Sequence, residues 1–193
     1  MADSFEEGGR EHGIVGCAVG ASYAVLLAEQ MFASGCRLLI SVTSSGQISA
    51  LRSPPYFFLI ERALRDEGTS HHYLPASDYA EADPAPIGTI AKALSRVGEP
   101  VERGATWTTD APYRETEQAI EAARAGGILA VEMEAAALYA FARARGKAVL
   151  CFAHVTNQMG QTGDFEKGQA NGAIASLDVI EAVASAWLGR QPP

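Results

Sequence analysis

The sequence predicts an α/β fold, a single domain in which a mixed, mostly parallel central sheet is flanked by helices. Short apolar runs that are typical of buried strands alternate with longer segments whose apolar residues have helical spacing. Residues 13–19, 23–32 and 38–42 follow one another as predicted strand, helix and strand. This spacing is typical of a right-handed crossover between parallel strands, and it favours the α/β class.

The composition is typical of one folded domain. The chain has 193 residues, of which 48% are hydrophobic and 20% are charged, enough to form one substantial core. We predict the domain at residues 13–188, after a disordered polar segment at residues 1–12 and before a frayed tail at residues 189–193.

The charge and the cysteines disfavour several classes of partner. A formal net charge of -8 argues against nucleic acids and anionic membranes as partners. No segment has the ~20 apolar residues that a membrane helix needs, and the acidic N-terminus does not have the pattern of a signal peptide. Cys17, Cys36 and Cys151 lie in apolar runs without the spacing of a zinc site. We therefore expect reduced cysteines, no metal and a cytoplasmic protein.

Local signals predict the remaining elements. Residues 56–67 have the apolar pattern of an amphipathic helix rich in aromatic residues. Ser22 is a candidate N-cap for the first helix, and Asp110 is a candidate N-cap for a helix that carries Pro112 in its first turn. Residues 43–47 form a loop of small polar residues after a strand. Further strands are predicted at residues 101–107, 128–132 and 147–155, and a final helix at residues 169–188.

The junction after residues 128–132 is the strongest candidate for a functional site. These residues follow two glycines and are mostly apolar, as in a buried strand, and a buried helix begins at Ala135. Glu132, Met133 and Glu134 thus lie at the carboxyl end of a strand, where ligands bind in α/β sheets. The helix N-terminus favours an ionised carboxylate there. A simple capping role would explain Glu134 equally well.

Three further polar segments follow predicted strands. They begin at Thr43, Thr108 and Thr156, and strand ends of a parallel sheet meet at one edge. We therefore expect these segments to form one site together with the junction.

The sequence Val-Glu-Met-Glu-Ala-Ala-Ala at residues 131–137 resembles the signature of the nucleoside phosphorylase and nucleosidase superfamily. That superfamily includes purine nucleoside phosphorylases, uridine phosphorylases and methylthioadenosine nucleosidases. The resemblance covers about residues 13–188 and is most specific over residues 104–157. It implies a nucleoside phosphorylase-like fold, cleavage of the N-glycosidic bond of a purine or pyrimidine nucleoside, and a homo-oligomer. It also implies phosphate as a co-substrate and no other cofactor.

The resemblance also implies roles for particular residues. Met133 would lie against the ribose, Glu134 would bind its hydroxyls beside Glu132, and Asn157 would meet the base nitrogen that gains charge. Glu134 and Asn157 are thus the expected catalytic residues. The other expected substrate contacts are Thr109, Pro112, Tyr113, Arg114 and Thr156, and the expected phosphate contacts are Ser44 and Ser45. Gly20 and Ser22 are added as phosphate contacts because a helix N-terminus can receive an anion.

The residue type at position 157 favours one class of base. An Asn amide can donate one hydrogen bond and accept another, as a 6-oxopurine requires. An Asp would instead act as a general acid, which adenine-type leaving groups need. Asn157 therefore favours oxopurine or pyrimidine nucleosides, although a turn residue after a strand would also explain it.

The sequence departs from the superfamily pattern where phosphate should bind. The Gly-Asp-Pro loop and the Arg that follows it are missing, and Ser41 stands where the family has an Arg. Without an Arg fork we expect weak phosphate binding. Phosphorolysis remains the preferred prediction, with hydrolysis of the nucleoside, or nucleoside binding or assembly without turnover, as the alternatives.

Overall fold

The computed structural model describes residues 2–7, 10–95, 101–158 and 166–189, and the statements below concern this part of the chain. Its strands are β1 Ala2–Glu7, β2 Arg10–Val15, β3 Leu39–Gln47, β4 Tyr56–Asp66, β5 Tyr79–Glu81, β6 Glu102–Thr109, β7 Ile128–Glu132 and β8 Val149–Gln158. Its α-helices are α1 Ala21–Ala33, α2 Pro84–Leu94, α3 Glu117–Ala125, α4 Ala135–Arg145 and α5 Ala173–Leu188.

Six strands form one mixed sheet that closes on itself. Their order is β5-β4-β6-β7-β3-β8, and β8 also pairs with β4, which closes β4, β6, β7, β3 and β8 into a small barrel, with β5 paired to the C-terminal half of β4. The longest ladders, β3 with β8 and β4 with β6, are parallel, whereas β3–β7, β4–β5 and β4–β8 are antiparallel. The predicted α/β class with a mixed sheet and helices is therefore confirmed.

Helix α4 is the best-buried helix of the fold. Every residue from 135 to 141 is buried, and four of the first six are alanines, which allow a close approach to the sheet. The Tyr139 hydroxyl donates to the backbone oxygen of Ile60 at 2.5 Å and accepts from the amide of Cys151 at 3.0 Å. Since Ile60 lies in β4 and Cys151 in β8, this hydroxyl ties α4 to both strands that close the barrel.

The prediction of a helix at residues 56–67 was wrong, because this segment is strand β4. Residues 56–60 are all buried, and β4 pairs with β5, β6 and β8. A strand covered on both faces has no alternation of polar and apolar residues, so its apolar run resembles that of a buried helix. The aromatic and β-branched residues of the run favour the strand.

The structure differs from the expectation for the N-terminus. Strands β1 and β2, within and just after the segment expected to be disordered, pair antiparallel as a two-stranded sheet of their own. The strand expected to be buried at residues 13–19 is partly β2, and its Ile14 is 46% exposed. Pairing between the two strands satisfies backbone groups, and composition alone does not report such pairing.

Several predicted element boundaries differ from the observed ones. Helix α1 has Gly20 as its N-cap with no side-chain cap, so Ser22 lies within the helix and does not cap it. The N-cap of α3 is Thr116, whose hydroxyl accepts from the amide of Ala119, whereas Asp110 accepts from the amide of Gly68. The polar residues 43–47 belong to β3, and α5 begins four residues later than expected because residues 169–172 form a separate 3-10 turn.

Within the described residues, no helix combines the length and the apolar character needed to cross a membrane.

The Tyr139 contacts generate a prediction about stability. Tyr139→Phe should lower the free energy of unfolding by about 1–3 kcal/mol, because it leaves a buried carbonyl and a buried amide without their partner. Urea unfolding measures this loss. Tyr23→Phe is the control, since the Tyr23 side chain is 44% exposed; equal stability of the two variants would contradict the prediction.

Candidate active site

The Glu132 carboxylate closes the N-terminus of α4. Its Oε2 accepts from the amides of Glu134 and Ala135, both at 2.7 Å. Its Oε1 accepts from the Thr108 hydroxyl at 2.5 Å. Glu132 is only 3% exposed, so protein donors replace the water that would otherwise solvate it. The capping role that the sequence left open for Glu134 is therefore taken by Glu132.

The Glu134 side chain turns away from its own helix and reaches the start of α1. Its Oε1 accepts from the Gly20 amide at 2.6 Å, and its Oε2 accepts from the Met133 amide at 3.2 Å. Glu134 is 5% exposed. Each carboxylate oxygen has two lone pairs, so each can accept a second hydrogen bond from a ligand.

The environment shifts the protonation of both carboxyl groups. Burial, followed by the charge of Glu132, raises the pKa of Glu134 from 4.5 to about 7, although the amides of Gly20 and Met133 oppose the shift. Burial also raises the pKa of Glu132, against the hydrogen bonds from Thr108, Ala135 and Glu134. Glu134 thus changes its charge near neutral pH, a property typical of functional carboxyl groups.

The polar segments of β3 and β8 lie next to this junction. The Ser44 and Thr156 hydroxyls are 2.9 Å apart. Gly46 in β3 pairs with Val131 of β7 on one side and with Asn157 of β8 on the other. Val131 is the residue before Glu132 in β7. The structure therefore places the polar segments on four adjacent strands, in the order β6, β7, β3 and β8.

Two of the predicted phosphate contacts are arranged differently from Ser44. The Ser45 side chain is 2% exposed, and its hydroxyl donates to the backbone oxygen of Thr43 at 3.2 Å. Ser22 is exposed on α1. The Gly20 amide, the remaining expected contact, already donates to Glu134. In the described contacts of these residues, no Arg or Lys side chain takes part.

The segment at the end of β6 lies towards β4, on the side of β6 that faces away from β7. Thr109 is buried, and its hydroxyl accepts from the Ala111 amide at 3.1 Å. Pro112, Tyr113 and Arg114 form an exposed 3-10 turn, and the Tyr113 ring is fully exposed. Since Asp110 bonds to Gly68 beyond β4, this turn lies towards β4 and has no described contact with Glu134 or Asn157.

Thr108 begins one of the segments that the sequence predicts at the site, but sequence analysis assigned it no role there. Its hydroxyl contacts both Glu132 and the amide of Ala136, whereas the predicted Thr109 bonds only to its own turn. Thr106 and Thr108 are two residues apart and lie on one face of β6, and this spacing was the available signal. Whether that face is directed towards Glu132 depends on the pairing of β6 with β7, which no local pattern reveals.

Among the described residues, no group of three or more His, Cys, Asp or Glu side chains is arranged to hold a metal ion.

The fold and the junction define an α/β protein with a buried carboxylate pair where a strand meets a helix. The sequence profile of the Phosphorylase superfamily matches residues 5–185, so the chain belongs to this superfamily.

Two curated relatives are distant. The chain is 30% identical over 144 residues to a DeoD-type purine nucleoside phosphorylase of Myxococcus xanthus, an alignment that covers 74% of this chain and 60% of the relative. It is 25% identical over 128 residues to a guanosine phosphorylase of Halorubrum lacusprofundi, covering 66% of this chain and 53% of the relative. The chain therefore matches little more than half the length of each of these relatives.

The raised pKa of Glu134 generates a prediction about stability and pH. The pKa is higher in the folded state than the ordinary value of 4.5, so stability should be complete below pH ~4.5 and should fall as the pH rises through about 7. The loss should reach about 2–3 kcal/mol at pH 8. Glu134→Gln should remove the part of this pH dependence that comes from Glu134, whereas the part that comes from Glu132, whose pKa burial also raises, should remain.

Urea unfolding between pH 5 and pH 8 measures the slope. The control is Glu117→Gln, since Glu117 lies exposed in the first turn of α3. If Glu134→Gln and the parent lose stability equally over this range, Glu134 is not the titrating group.

Proposed function

We propose that the protein binds a nucleoside and cleaves its N-glycosidic bond, with phosphate as the preferred acceptor and with no other cofactor. The observation that carries the proposal is the buried Glu134 carboxylate, held by two amides beside the polar segments of β3 and β8. Membership of the Phosphorylase superfamily and the printed names of the two relatives support it.

The ribose is the part of the substrate that the junction fits best. Two adjacent ribose hydroxyls can donate to the second lone pairs of the two Glu134 oxygens. Each such charge-assisted bond contributes about 1.5–3 kcal/mol. The half-buried Met133 precedes Glu134 and offers an apolar surface to the sugar. Glycosidic cleavage gives the sugar positive charge, and a fixed carboxylate next to it stabilises that charge.

The base is the part of the substrate that the end of β8 fits. Asn157 follows Thr156, whose hydroxyl is bonded to Ser44, and it lies half-buried at the edge of the site. Its amide can donate to a carbonyl oxygen of the leaving base and accept from a ring N–H. In this proposal the Tyr113 ring, exposed in the ligand-free protein, covers the base only after its turn moves.

Hydrolysis is the second candidate reaction. Here the Gly20 amide, at the N-terminus of α1, donates to Glu134 and is not open to an anion. Phosphate bound at this helix would also lie close to a carboxylate without a described Arg or Lys to balance the charge. Both features favour water as the acceptor when phosphate is scarce. Nucleoside binding without turnover is the third candidate, since the phosphate site is incomplete.

A nucleoside panel tests the reaction class. With inosine, guanosine, uridine and adenosine, released base should increase with phosphate and should not saturate below the millimolar range, because the retained donors are neutral and a helix dipole contributes only about 0.3–1 kcal/mol. Base release that is independent of phosphate would establish hydrolysis. Binding without release would establish the third candidate, and tight, saturable phosphate dependence would contradict the weak site.

Asn157 generates a prediction about base preference. Inosine, guanosine and uridine should bind more tightly than adenosine, because each offers a carbonyl to the Asn amide. Asn157→Asp should shift the preference towards adenosine, since an acid can protonate an adenine leaving group. Competition binding measures both. Equal affinity of the parent for inosine and adenosine would refute this assignment.

Glu134 generates a prediction about the pH dependence of binding. Nucleoside affinity should rise between pH 6 and pH 8, because only the ionised carboxylate accepts from both ribose hydroxyls, and the pKa of Glu134 is about 7. Glu134→Gln should weaken binding at pH 8 by about tenfold or more and should abolish the pH dependence. A 2′,3′-dideoxynucleoside is the matched ligand control, since it lacks both hydroxyls and should bind the two proteins equally.

A further inference from the structure

We propose that Thr108 is a positioning residue, whose hydroxyl sets the orientation of Glu132 and thereby holds the Glu134 carboxylate where the ribose binds. The inference rests on the proposed function, because it names a residue on which the sugar-binding carboxylate depends. Thr108 itself touches no expected atom of the substrate.

The geometry makes Thr108 and Glu132 a single unit. They are partners in the parallel ladder of β6 and β7. The Thr108 hydroxyl donates to Oε1 of Glu132 at 2.5 Å and accepts from the Ala136 amide at 3.0 Å. The other Glu132 oxygen accepts from the amides of Glu134 and Ala135. Three successive amides at the start of α4 are thus satisfied by two side chains.

The hydroxyl has no freedom in this arrangement. Its single proton is committed to Glu132, because the Ala136 amide supplies a proton of its own and requires a lone pair. The hydroxyl therefore fixes the plane of the Glu132 carboxylate, and that carboxylate fixes the backbone of Glu134. Thr108 is fully buried, so water cannot take its place.

The unit also sets the charge next to Glu134. The Thr108 bond favours the ionised form of Glu132, and the charge of Glu132 raises the pKa of Glu134. Two other described titratable groups interact electrostatically with these carboxylates: Tyr139 on α4 and Cys151 on β8. Burial raises the pKa of each well above its ordinary value. At the start of α1, the described hydrogen-bond donor to Glu134 is the amide of the N-cap Gly20.

Loss of the hydroxyl should therefore have two separate effects. In Thr108→Val, Glu132 loses a donor and becomes easier to protonate, so the pKa of Glu134 falls and binding begins at lower pH. At the same time the Glu132 carboxylate, and with it the backbone at Glu134, is held by one hydrogen bond fewer, so nucleoside affinity at high pH decreases. A purely structural role for Thr108 would produce the second effect without the first.

The chain provides a matched control two residues away. Thr106 lies on the same face of β6 and is fully buried, but its hydroxyl has no hydrogen-bond partner in the structure. It is the smallest of the contributions that lower the pKa of Glu132. Thr106→Val therefore removes an equally buried hydroxyl from the same strand without breaking the unit.

The experiment is inosine binding from pH 5.5 to pH 8.5 by the parent, Thr108→Val, Thr108→Ser and Thr106→Val. For Thr108→Val we expect affinity at pH 8.5 to fall about tenfold, the effect of losing one hydrogen bond, and the midpoint of the pH dependence to move to lower pH. Thr108→Ser should restore the affinity at pH 8.5 to within about threefold of the parent. It should also return the midpoint of the pH dependence to that of the parent. Thr106→Val should keep the affinity of the parent, and its midpoint should move less than that of Thr108→Val, because Thr106 lowers the pKa of Glu132 less than Thr108 does.

Two results would overturn the proposal. One is parent-like binding by Thr108→Val; the other is weaker binding with an unchanged midpoint, which marks a structural role. If Thr108→Val does not fold, Thr108→Cys replaces it, because a thiol is a weaker donor and should give a smaller shift in the same direction; no shift overturns the proposal.

A second measurement separates this proposal from the proposed function. If the parent binds no nucleoside, the proposed function fails, and the carboxyl carbon of Glu134 is then titrated by NMR in the ligand-free proteins. A lower midpoint in Thr108→Val than in the parent and Thr106→Val supports the coupling of Thr108 to Glu134. An unchanged midpoint overturns it.

Discussion

The rest of the site depends on how the fold tolerates a buried carboxylate at Glu132. An isolated charge in the interior costs many kcal/mol, and the group would take up a proton to avoid that cost. Here three donors surround it: the Thr108 hydroxyl and the amides of Glu134 and Ala135. Those amides would otherwise be unsatisfied at the start of α4. The carboxylate and the helix end thus satisfy each other, which ties β6, β7 and α4 at one point.

The chemistry of Glu134 follows from this arrangement. Because Glu132 occupies the helix end, Glu134 is left to reach the Gly20 amide across 114 positions of sequence. Burial of this carboxyl group, followed by the nearby charge of Glu132, raises its pKa to about 7. Glu132 thus caps the helix, whereas Glu134 is the carboxylate that we propose for the ribose. Residues 131–137 therefore contain a capping residue and a candidate sugar-binding residue two positions apart.

The sequence predicted those parts of the protein that local patterns determine. The strand and helix around residues 128–145 were located almost to the residue, because two glycines, an apolar run and an alanine-rich helix mark them. Strand β4 was misassigned because burial on both faces erases the alternation that marks a strand. Barrel closure, the choice of Thr108 over Thr109, and the division of roles between Glu132 and Glu134 depend on pairing between β4, β6, β7 and β8. Such contacts between distant segments are not encoded in any single stretch.

The start of α1 shows why acceptor choice is the least determined part of the function. The amides of a helix N-terminus bind anions, and in this chain the Gly20 amide at the start of α1 already donates to the carboxylate of Glu134. Ribose hydroxyls can bind the remaining lone pairs of that carboxylate without displacing Gly20, so sugar recognition and the observed contact are compatible. Phosphate at the same amide would have to displace Glu134 or lie beside it. The contact that holds the proposed sugar-binding carboxylate would therefore compete with an acceptor phosphate at Gly20, and a cation near Gly20 would relieve this competition.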